Sequence, residues 1–313
     1  MAKCRICKNE KNNKIITCRE MMNGTGEEFD YFICSACGCM QISEYPGNIE
    51  RYYENYYTSN QNKLPGKNII LSRFKKLYAF LYINLNLSFV RALYAPFPFK
   101  WLDNSISLNA RILDVGCGNG NFLFRLYQYG FKKLIGIDPF QKEYIHHDQI
   151  KLMHEDILQH YNGTYDFIFF NHSFEHIWDQ KKALLKANSI LNHQGKIIIR
   201  IPVKGIIFDI FKSDWVQIDA PRHFYLHTLK SIKLLAKDCG LRITKTVCDS
   251  TIFQLLGSES YRRNISLNSP QFLLNRYDKI GKKKLRQMNM IVKILNEYKL
   301  GDQFVIYMEK MDK

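Results

Sequence analysis

Three acids and three glycines are spaced along this chain in a way that suits a charged, hydroxyl-bearing ligand. In Ala110-Arg111-Ile112-Leu113-Asp114-Val115-Gly116-Cys117-Gly118-Asn119-Gly120-Asn121 an apolar run ends in an acid, and glycines follow at every second residue. The pattern reads as a strand, a tight turn and a helix start. Glycine lets backbone N–H groups approach a ligand closely, and a helix N-terminus adds partial positive charge. A second apolar run ends in Asp138-Pro139, and a weaker third leads into Glu155-Asp156-Ile157. Singly, each acid would serve as a turn or cap residue. Three at successive strand ends make a binding set.

The spacing narrows the ligand. A dinucleotide loop runs G-x-G-x-x-G, with a diphosphate docked on the helix N-terminus. Here the order is G-x-G-x-G, with Asn121 where that last glycine would stand. Asp114 would repel a diphosphate and attract an ammonium group. S-adenosylmethionine has no phosphate and offers an ammonium, a ribose diol and an adenine. Asp114, Gly116, Cys117, Gly118 and Gly120 are therefore expected around its methionine end. Asp138 with Pro139 is expected at the ribose, and Asp156 with Ile157 at the adenine. Asn171 and His172, at the end of a fourth apolar run, are expected at the cofactor edge.

The elements that must hold these residues follow from the periodicity. Strands are predicted at 112–115, 133–137, 150–153, 165–170, 196–201, 241–248 and 303–308, separated by helical stretches through 129, 184–191 and 228–239. Strands alternating with helices mean βαβ units and an α/β fold with a largely parallel, Rossmann-like sheet. Residues 253–300 read as mainly helical, with a loop near Asn268-Ser269-Pro270.

From about residue 108 to its end the chain resembles the class I S-adenosylmethionine-dependent methyltransferases. The landmarks are residues 113–120, Ile135-Gly136-Ile137-Asp138-Pro139, Glu155-Asp156, and the run from Tyr165 through Asn171-His172-Ser173-Phe174-Glu175-His176. The resemblance implies seven strands with the last one antiparallel, which 303–308 would supply. A narrower likeness rests on the N-terminal cysteines, on Trp215 through Asp219-Ala220-Pro221-Arg222-His223 to His227-Thr228, and on Gly257-Ser258-Glu259-Ser260-Tyr261. It is similar to a bacterial subgroup associated with surface-polysaccharide and nucleotide-sugar modification.

Two segments carry candidate chemistry. His172-x-x-Glu175-His176 matches an H-x-x-E-H zinc-protease pattern, which needs both histidines on one face of a long helix. Here it directly follows a buried strand, where a methyltransferase lines the methyl-transfer site. Glu175, His176 and His223 are the candidates for taking a proton from an acceptor, since imidazole titrates near neutral pH. Trp215, Asp219, Arg222 and His227, in the insertion after the fifth strand, are the candidate substrate contacts; Arg222 suits a phosphate or carboxylate. In-line positioning by itself can supply much of the acceleration.

Cys4-x2-Cys7 and Cys34-x2-Cys37 present four thiolates, the set for a tetrahedral structural zinc site, with Cys39 and Cys18 as spares. Asn23-Gly24-Thr25-Gly26 between the pairs reads as a hairpin tip. The chain is expected to divide into a zinc module at 1–45, a linker and amphipathic helix at 46–103, and a methyltransferase domain at 104–313 with substrate-side insertions at about 203–227 and 253–300. The helix at 69–95 is expected to cover the core or shape a pocket, with an anionic membrane surface as the alternative.

Of 313 residues, 45 are Lys or Arg and 29 Asp or Glu, a net charge of +16. That excess attracts anions without choosing among them. Nine cysteines and a start lacking an apolar leader segment point to a reducing cytoplasm. The expected activity is methyl transfer to a small anionic acceptor, a nucleotide- or lipid-linked sugar, and DNA is not an expected partner. An RNA methyltransferase using the zinc module and basic surface is the alternative. A non-catalytic scaffold keeping the cofactor fold is a third reading.

Overall fold

The computed structural model describes residues 2–53, 69–84, 102, 106–141, 144–147, 149–161, 163–275 and 281–311. An N-terminal hairpin pairs β1 (Lys14–Arg19) with β2 (Glu28–Ile33), and β3 (Met40–Ile42) lies against β2. After α1 (Ile69–Asn84) come β4 (Arg111–Val115), α2 (Asn121–Gln128), β5 (Lys133–Ile137), β6 (Ile145–His147), β7 (Ile150–Met153) and β8 (Tyr165–Asn171). Then follow α3 (Gln180–Ile190), β9 (Leu191–Pro202), α4 (Ile206–Phe211), β10 (Tyr225–Leu226), α5 (Leu229–Asp238) and β11 (Leu241–Cys248). The chain closes with α6 (Phe253–Arg262), α7 (Pro270–Asn275), α8 (Lys282–Glu297) and β12 (Gln303–Lys310).

The main sheet has the order β11-β12-β9-β8-β4-β5-β7-β6. β9, β8, β4, β5 and β7 run parallel, whereas β12 is antiparallel to both β9 and β11. The predicted α/β sheet with its antiparallel last strand is present. One strand is added: β6, which turns back antiparallel along β7 at the edge. Its three residues are too short to show a period, and the nearby Lys142, Glu143 and Asp148 lie outside the described residues.

Both faces of the sheet are covered, so its strands alternate between two cores rather than between core and water. Leu113 and Val115 of β4, with Ile168 and Phe170 of β8, face one core; Ile112, Phe167 and Phe169 face the other. α1 lays Ala79 into the second core beside α2, while Phe74, Leu77 and Phe80 stay exposed. Residues 85–95 of the predicted helix lie outside the described residues, as does the Tyr-rich stretch at 54–57. No helix among the described residues is long and apolar enough to cross a membrane.

The N-terminal module is not a detached unit. Its β3 pairs antiparallel with β10, from the insertion after β9, so residues 225–226 complete a four-stranded sheet β1-β2-β3-β10. Tyr31, Phe32 and Met40 share one continuous core with Phe174, Phe224 and Leu226. Arg5 lies 4.3 Å from the Trp178 ring and 4.8 Å from the Tyr225 ring, and donates to the Tyr225 hydroxyl (2.9 Å) and the Ile42 carbonyl (2.8 Å). A guanidinium stacked on two aromatic faces is held more firmly than a surface cation.

Buried histidines give the fold an acid sensitivity. Burial pushes His227 down to about 3, and burial with the nearby His223 pushes His176 down to about 4, from an ordinary 6.5. Below pH 6.5 the unfolded chain takes up protons that these folded rings refuse, so their contribution to stability falls as pH drops through this window. Glu175, drawn down to about 2, loses its contribution only below 4.5. Asp302, raised by burial to about 6, acts in the opposite sense. The histidine part is therefore read as a difference. From pH ~7 to ~4.5, wild type should lose on the order of 2 kcal/mol relative to His227→Gln in urea unfolding. Parallel profiles would mean that His227 protonates freely in the fold.

Candidate active site

The glycine loop sits where β4 ends. Gly116, Gly118 and Gly120 have φ of 71°, 51° and 71°, the left-handed region that other residues enter only with strain. At Gly116 space is lacking as well: a Cβ there would lie 2.3 Å from Ser173 Cβ. Ser173 Oγ donates to the Val115 carbonyl (2.5 Å), pinning the β8 exit onto the loop. The amides of Gly116 and Cys117 both donate to the Ile137 carbonyl, and α2 begins directly after Gly120. The Cys117 thiol is buried near Asp114 and Asp138, which pushes its pKa well up and leaves it an inert wall atom.

The three acids occupy the strand ends as predicted from spacing. Asp114 and Asp138 are each 2% exposed. Burial, reinforced by neighbouring Asp138, raises the Asp114 pKa well above the carboxylate range. Asp114 Oδ1 is buried with no hydrogen-bond partner. Asp138 accepts from the amides of Gly118 and Phe140, each at 2.8 Å; burial raises its pKa while these bonds oppose the rise. Asp156 is half-buried and caps the short turn Ile157–Gln159 by accepting from the Leu158 amide (2.7 Å). Pro139 leads into Phe140, and Ile157 is buried beneath the turn.

At the end of β8 the backbone enters a tight turn, with His172 at φ 54°. Arg200 donates to His172 Nε2, so the neutral ring carries its proton on Nδ1, which donates to Glu175 Oε1 at 3.4 Å. Arg200 is itself paired with Asp249 (2.9 Å). Residues 174–176 form one 3-10 turn rather than a long helix, which removes the geometry a zinc protease needs.

Glu175, His176 and His223 converge. Each contributes an atom lying within 4.8 Å of the others. His176 Nδ1 lies 2.9 Å from the Arg222 carbonyl and 3.0 Å from the Tyr53 hydroxyl; His223 Nδ1 lies 2.7 Å from the Gln217 carbonyl. Carbonyls only accept, so both rings in their neutral form carry the proton on Nδ1 and keep a lone pair on Nε2. His223 Nε2 is 3.5 Å from Asp219 Oδ2 and 4.0 Å from Glu175 Oε1. Burial by itself would raise Glu175; the bond from His172 and the nearness of His223 and His176 outweigh it and hold the group ionised.

Three expected substrate contacts stand elsewhere. Trp215 is fully buried and donates Nε1–H to Asp302 Oδ2 (2.8 Å), so it packs the insertion onto the sheet. His227 is fully buried between Gln180 and Ser231. Arg222, 4% exposed, spends its guanidinium on Asp219 (2.5 Å), the Tyr52 carbonyl and Met22 Sδ, tying the insertion to the N-terminal segment rather than awaiting an anion. Asp219 remains beside His223. Tyr53, read from sequence as linker, stacks on Phe140 at 4.9 Å and reaches His176 at the edge of the cluster. Its only signal was the Arg51-Tyr52-Tyr53 run.

At the other end of the module, the Sγ atoms of Cys4, Cys7, Cys34 and Cys37 lie within 4.8 Å of one another. Cys4–Cys37 is 3.7 Å and Cys7–Cys34 is 3.5 Å. A tetrahedron of sulfurs about 2.3 Å from zinc has edges of about 3.8 Å, so the set fits that ion. Backbone amides of Cys7 and Cys37 point at the sulfurs of Cys4 and Cys34. Cys39 turns instead to the Met40 carbonyl and His227, and Cys18 stays a buried thiol pushed up to about 12.

Several buried acceptors at the carboxyl ends of the strands lack donors. Asp114 Oδ1, Asn171 Oδ1 and Glu175 Oε2 are buried without partners at and just beyond the ends of β4 and β8, beside the glycine loop. Unpaired buried acceptors are costly unless a donor arrives. An ammonium and hydroxyls, without phosphate, suit this set.

A family model described as a methyltransferase domain matches residues 88–246. The chain belongs to this methyltransferase family. It is an S-adenosylmethionine-dependent methyltransferase. Among curated proteins, the methyltransferase is 32% identical over 99 residues to a tRNA U34 carboxymethyltransferase of Campylobacter hominis, covering 28% of this chain and 35% of that protein. It is 30% identical over 128 residues to the protein of that name from Helicobacter pylori strain G27, covering 35% and 47%. The methyltransferase thus spans about a third to a half of the length of these relatives. Among solved structures, magnesium protoporphyrin IX methyltransferase from Synechocystis with bound SAH aligns at 18% identity, covering 66% of this chain and 90% of that one, with a TM-score of 0.40.

Proposed function

We propose that the enzyme methylates a hydroxyl of a small anionic acceptor, a sugar in nucleotide- or lipid-linked form, with Glu175, His176 and His223 drawing off the hydroxyl's proton. The observation that carries this reading is the convergence of two imidazoles and a carboxylate held ionised, Glu175 and His223 buried and His176 half-buried, just beyond the end of β8. A hydroxyl is a poor nucleophile until its proton is shared, and such a cluster supplies acceptors for it. Bound S-adenosylmethionine supplies an electrophilic methyl group. Asp114 would hold its ammonium, Asp138 its ribose and Asp156 its adenine, while Asn171 and His172 line the edge nearest the acceptor. Phe140, exposed and backed by the stacked Tyr53 ring, offers an aromatic face of the kind that sugars lie against. The net charge of +16 favours an anionic partner. Four cysteines of the module would hold zinc as a structural ion, since all four positions of the tetrahedron come from protein.

RNA is the second reading, favoured by the tRNA-modifying names of the relatives and by the exposed basic start of α8 at Lys282, Lys283 and Lys284. Against it stands the depth of the cluster, which a polymer reaches only by extruding a nucleotide. The deciding experiment gives the full chain labelled methyl donor with a panel of nucleotide sugars in one arm and bulk tRNA in the other. Label in a nucleotide sugar is the expected result. Label in tRNA alone overturns the sugar reading in favour of RNA.

A further inference from the structure

Around the acceptor end of the cleft, lone pairs meet with little to separate them. His223 Nε2 faces Asp219 Oδ2 at 3.5 Å and Glu175 Oε1 at 4.0 Å. Glu175 is 1% exposed, and its Oε2 is buried with no partner. His176 adds a second ring nitrogen to the same cluster. The nearest guanidinium, Arg222, turns one nitrogen to the far oxygen of Asp219 and another to the Tyr52 carbonyl. With the His223 ring in its neutral form, a nitrogen lone pair and carboxylate oxygens this close repel unless a cation, a further proton or a metal ion, lies between them.

We infer that Glu175, His176 and His223 form a binding site for a divalent transition-metal ion. Two imidazoles with one carboxylate suit zinc, iron or nickel, whereas calcium and magnesium prefer oxygen throughout. The outer hydrogen bonds point the same way. A ligating histidine commonly donates its other N–H to a carbonyl, which fixes the ring and the tautomer. Here His176 and His223 each do so, to Arg222 and Gln217. Ligand atoms about 2.0–2.2 Å from zinc stand roughly 3–3.6 Å apart. Small side-chain rotations reach that spacing from the 4.0 Å observed between His223 and Glu175. Three protein ligands leave a position open, the mark of a site that also takes substrate. What occupies that position rests on the acceptor reading above: the ion would hold the acceptor's hydroxyl oxygen and lower its pKa, so the three side chains act on the hydroxyl through the ion and its proton leaves to Asp219, beside His223.

The test counts metal without any acceptor present. The full-length protein, stripped of metal, is titrated with cobalt(II) and followed by visible absorption and by metal content after gel filtration. Wild type should bind one equivalent more than His223→Asn or His176→Asn. Asparagine preserves an N–H donor for the carbonyl but removes the ring nitrogen. The additional equivalent should lack the thiolate-to-cobalt charge-transfer band of the cysteine site, which, with the melting curve, reports that each variant is folded. Glu175→Gln, close to isosteric, provides the comparison if both histidine variants unfold. Equal cobalt content in wild type and folded variants overturns the site and leaves a proton as the cluster's cation. Should the additional ion bind while no nucleotide sugar accepts methyl, the acceptor assignment falls and the metal site stands.

Discussion

Asp114→Asn should weaken binding of S-adenosylmethionine by two to three orders of magnitude while leaving the fold intact. The side chain is 2% exposed, lies at the end of β4, and has an oxygen without a partner. Removing one charge of a buried pair costs about 3–5 kcal/mol, and each 1.4 kcal/mol is tenfold in Kd. Without ligand, the variant should melt no lower than wild type, because the amide keeps the shape of the acid and carries no charge to desolvate. The raised pKa of Asp114 adds a signature. A raised pKa favours the protonated form in the free enzyme and pairing with an ammonium favours the ionised one, so donor affinity should rise with pH and binding should release protons to the buffer. Asparagine should abolish that release. Calorimetry in two buffers of different ionisation enthalpy measures both effects, and a Kd within threefold of wild type would contradict the assignment of Asp114 to the ammonium.

With zinc in the cysteine module as proposed, stripping it should abolish methyl transfer and spare donor binding. The asymmetry follows from where the module touches the enzyme. Structural zinc contributes on the order of 10–16 kcal/mol to folding of small zinc modules, far more than three short strands can replace. Losing it would release β3 from β10, Arg5 from Trp178 and Tyr225, and the Tyr31 hydroxyl that donates to the His223 carbonyl at 3.0 Å. All of these lie on the acceptor side. The loop at Gly116–Gly120 with Asp114 and Asp138 depends instead on β4 and β5 and should persist. Cys34→Ser should reproduce the effect of chelation. A chelated enzyme with undiminished turnover would show that β3 and β10 hold without the ion.

The parallel core was legible because it obeys a local rule. β5 and β7 are mainly apolar runs and β11 an alternating one, all with ends that the residue pattern placed correctly, and Asp114, Asp138 and Asp156 fall at or just past strand ends by spacing. What escaped depends on pairing between distant residues. β10 is two residues long and carries no period of its own; it is a strand only because Met40 and Gln41 lie opposite. Arg222 looked like an anion ligand because its type is suited to one. Whether its fork is spent on Asp219 and Tyr52 is decided by partners that spacing does not reveal. Trp215 and His227 failed similarly: their side chains have the right chemistry for a substrate, and the fold turns it inward. Tyr53 shows the converse, since an apparent linker delivered a side chain to the cleft.

The joint between β3 and β10 also sets an order of assembly. During synthesis the cysteine knuckles and the first hairpin emerge early, but the strand that completes their sheet lies at 225–226. At about 5–20 residues per second the ribosome needs on the order of ten seconds or more to deliver it. Through that interval the open edge of β3 has no partner, and such edges invite pairing with other chains. Early ion capture by Cys4, Cys7, Cys34 and Cys37 would hold the nascent hairpin in shape until its partner arrives. A cell short of metal would then accumulate aggregated nascent chain rather than inactive finished enzyme.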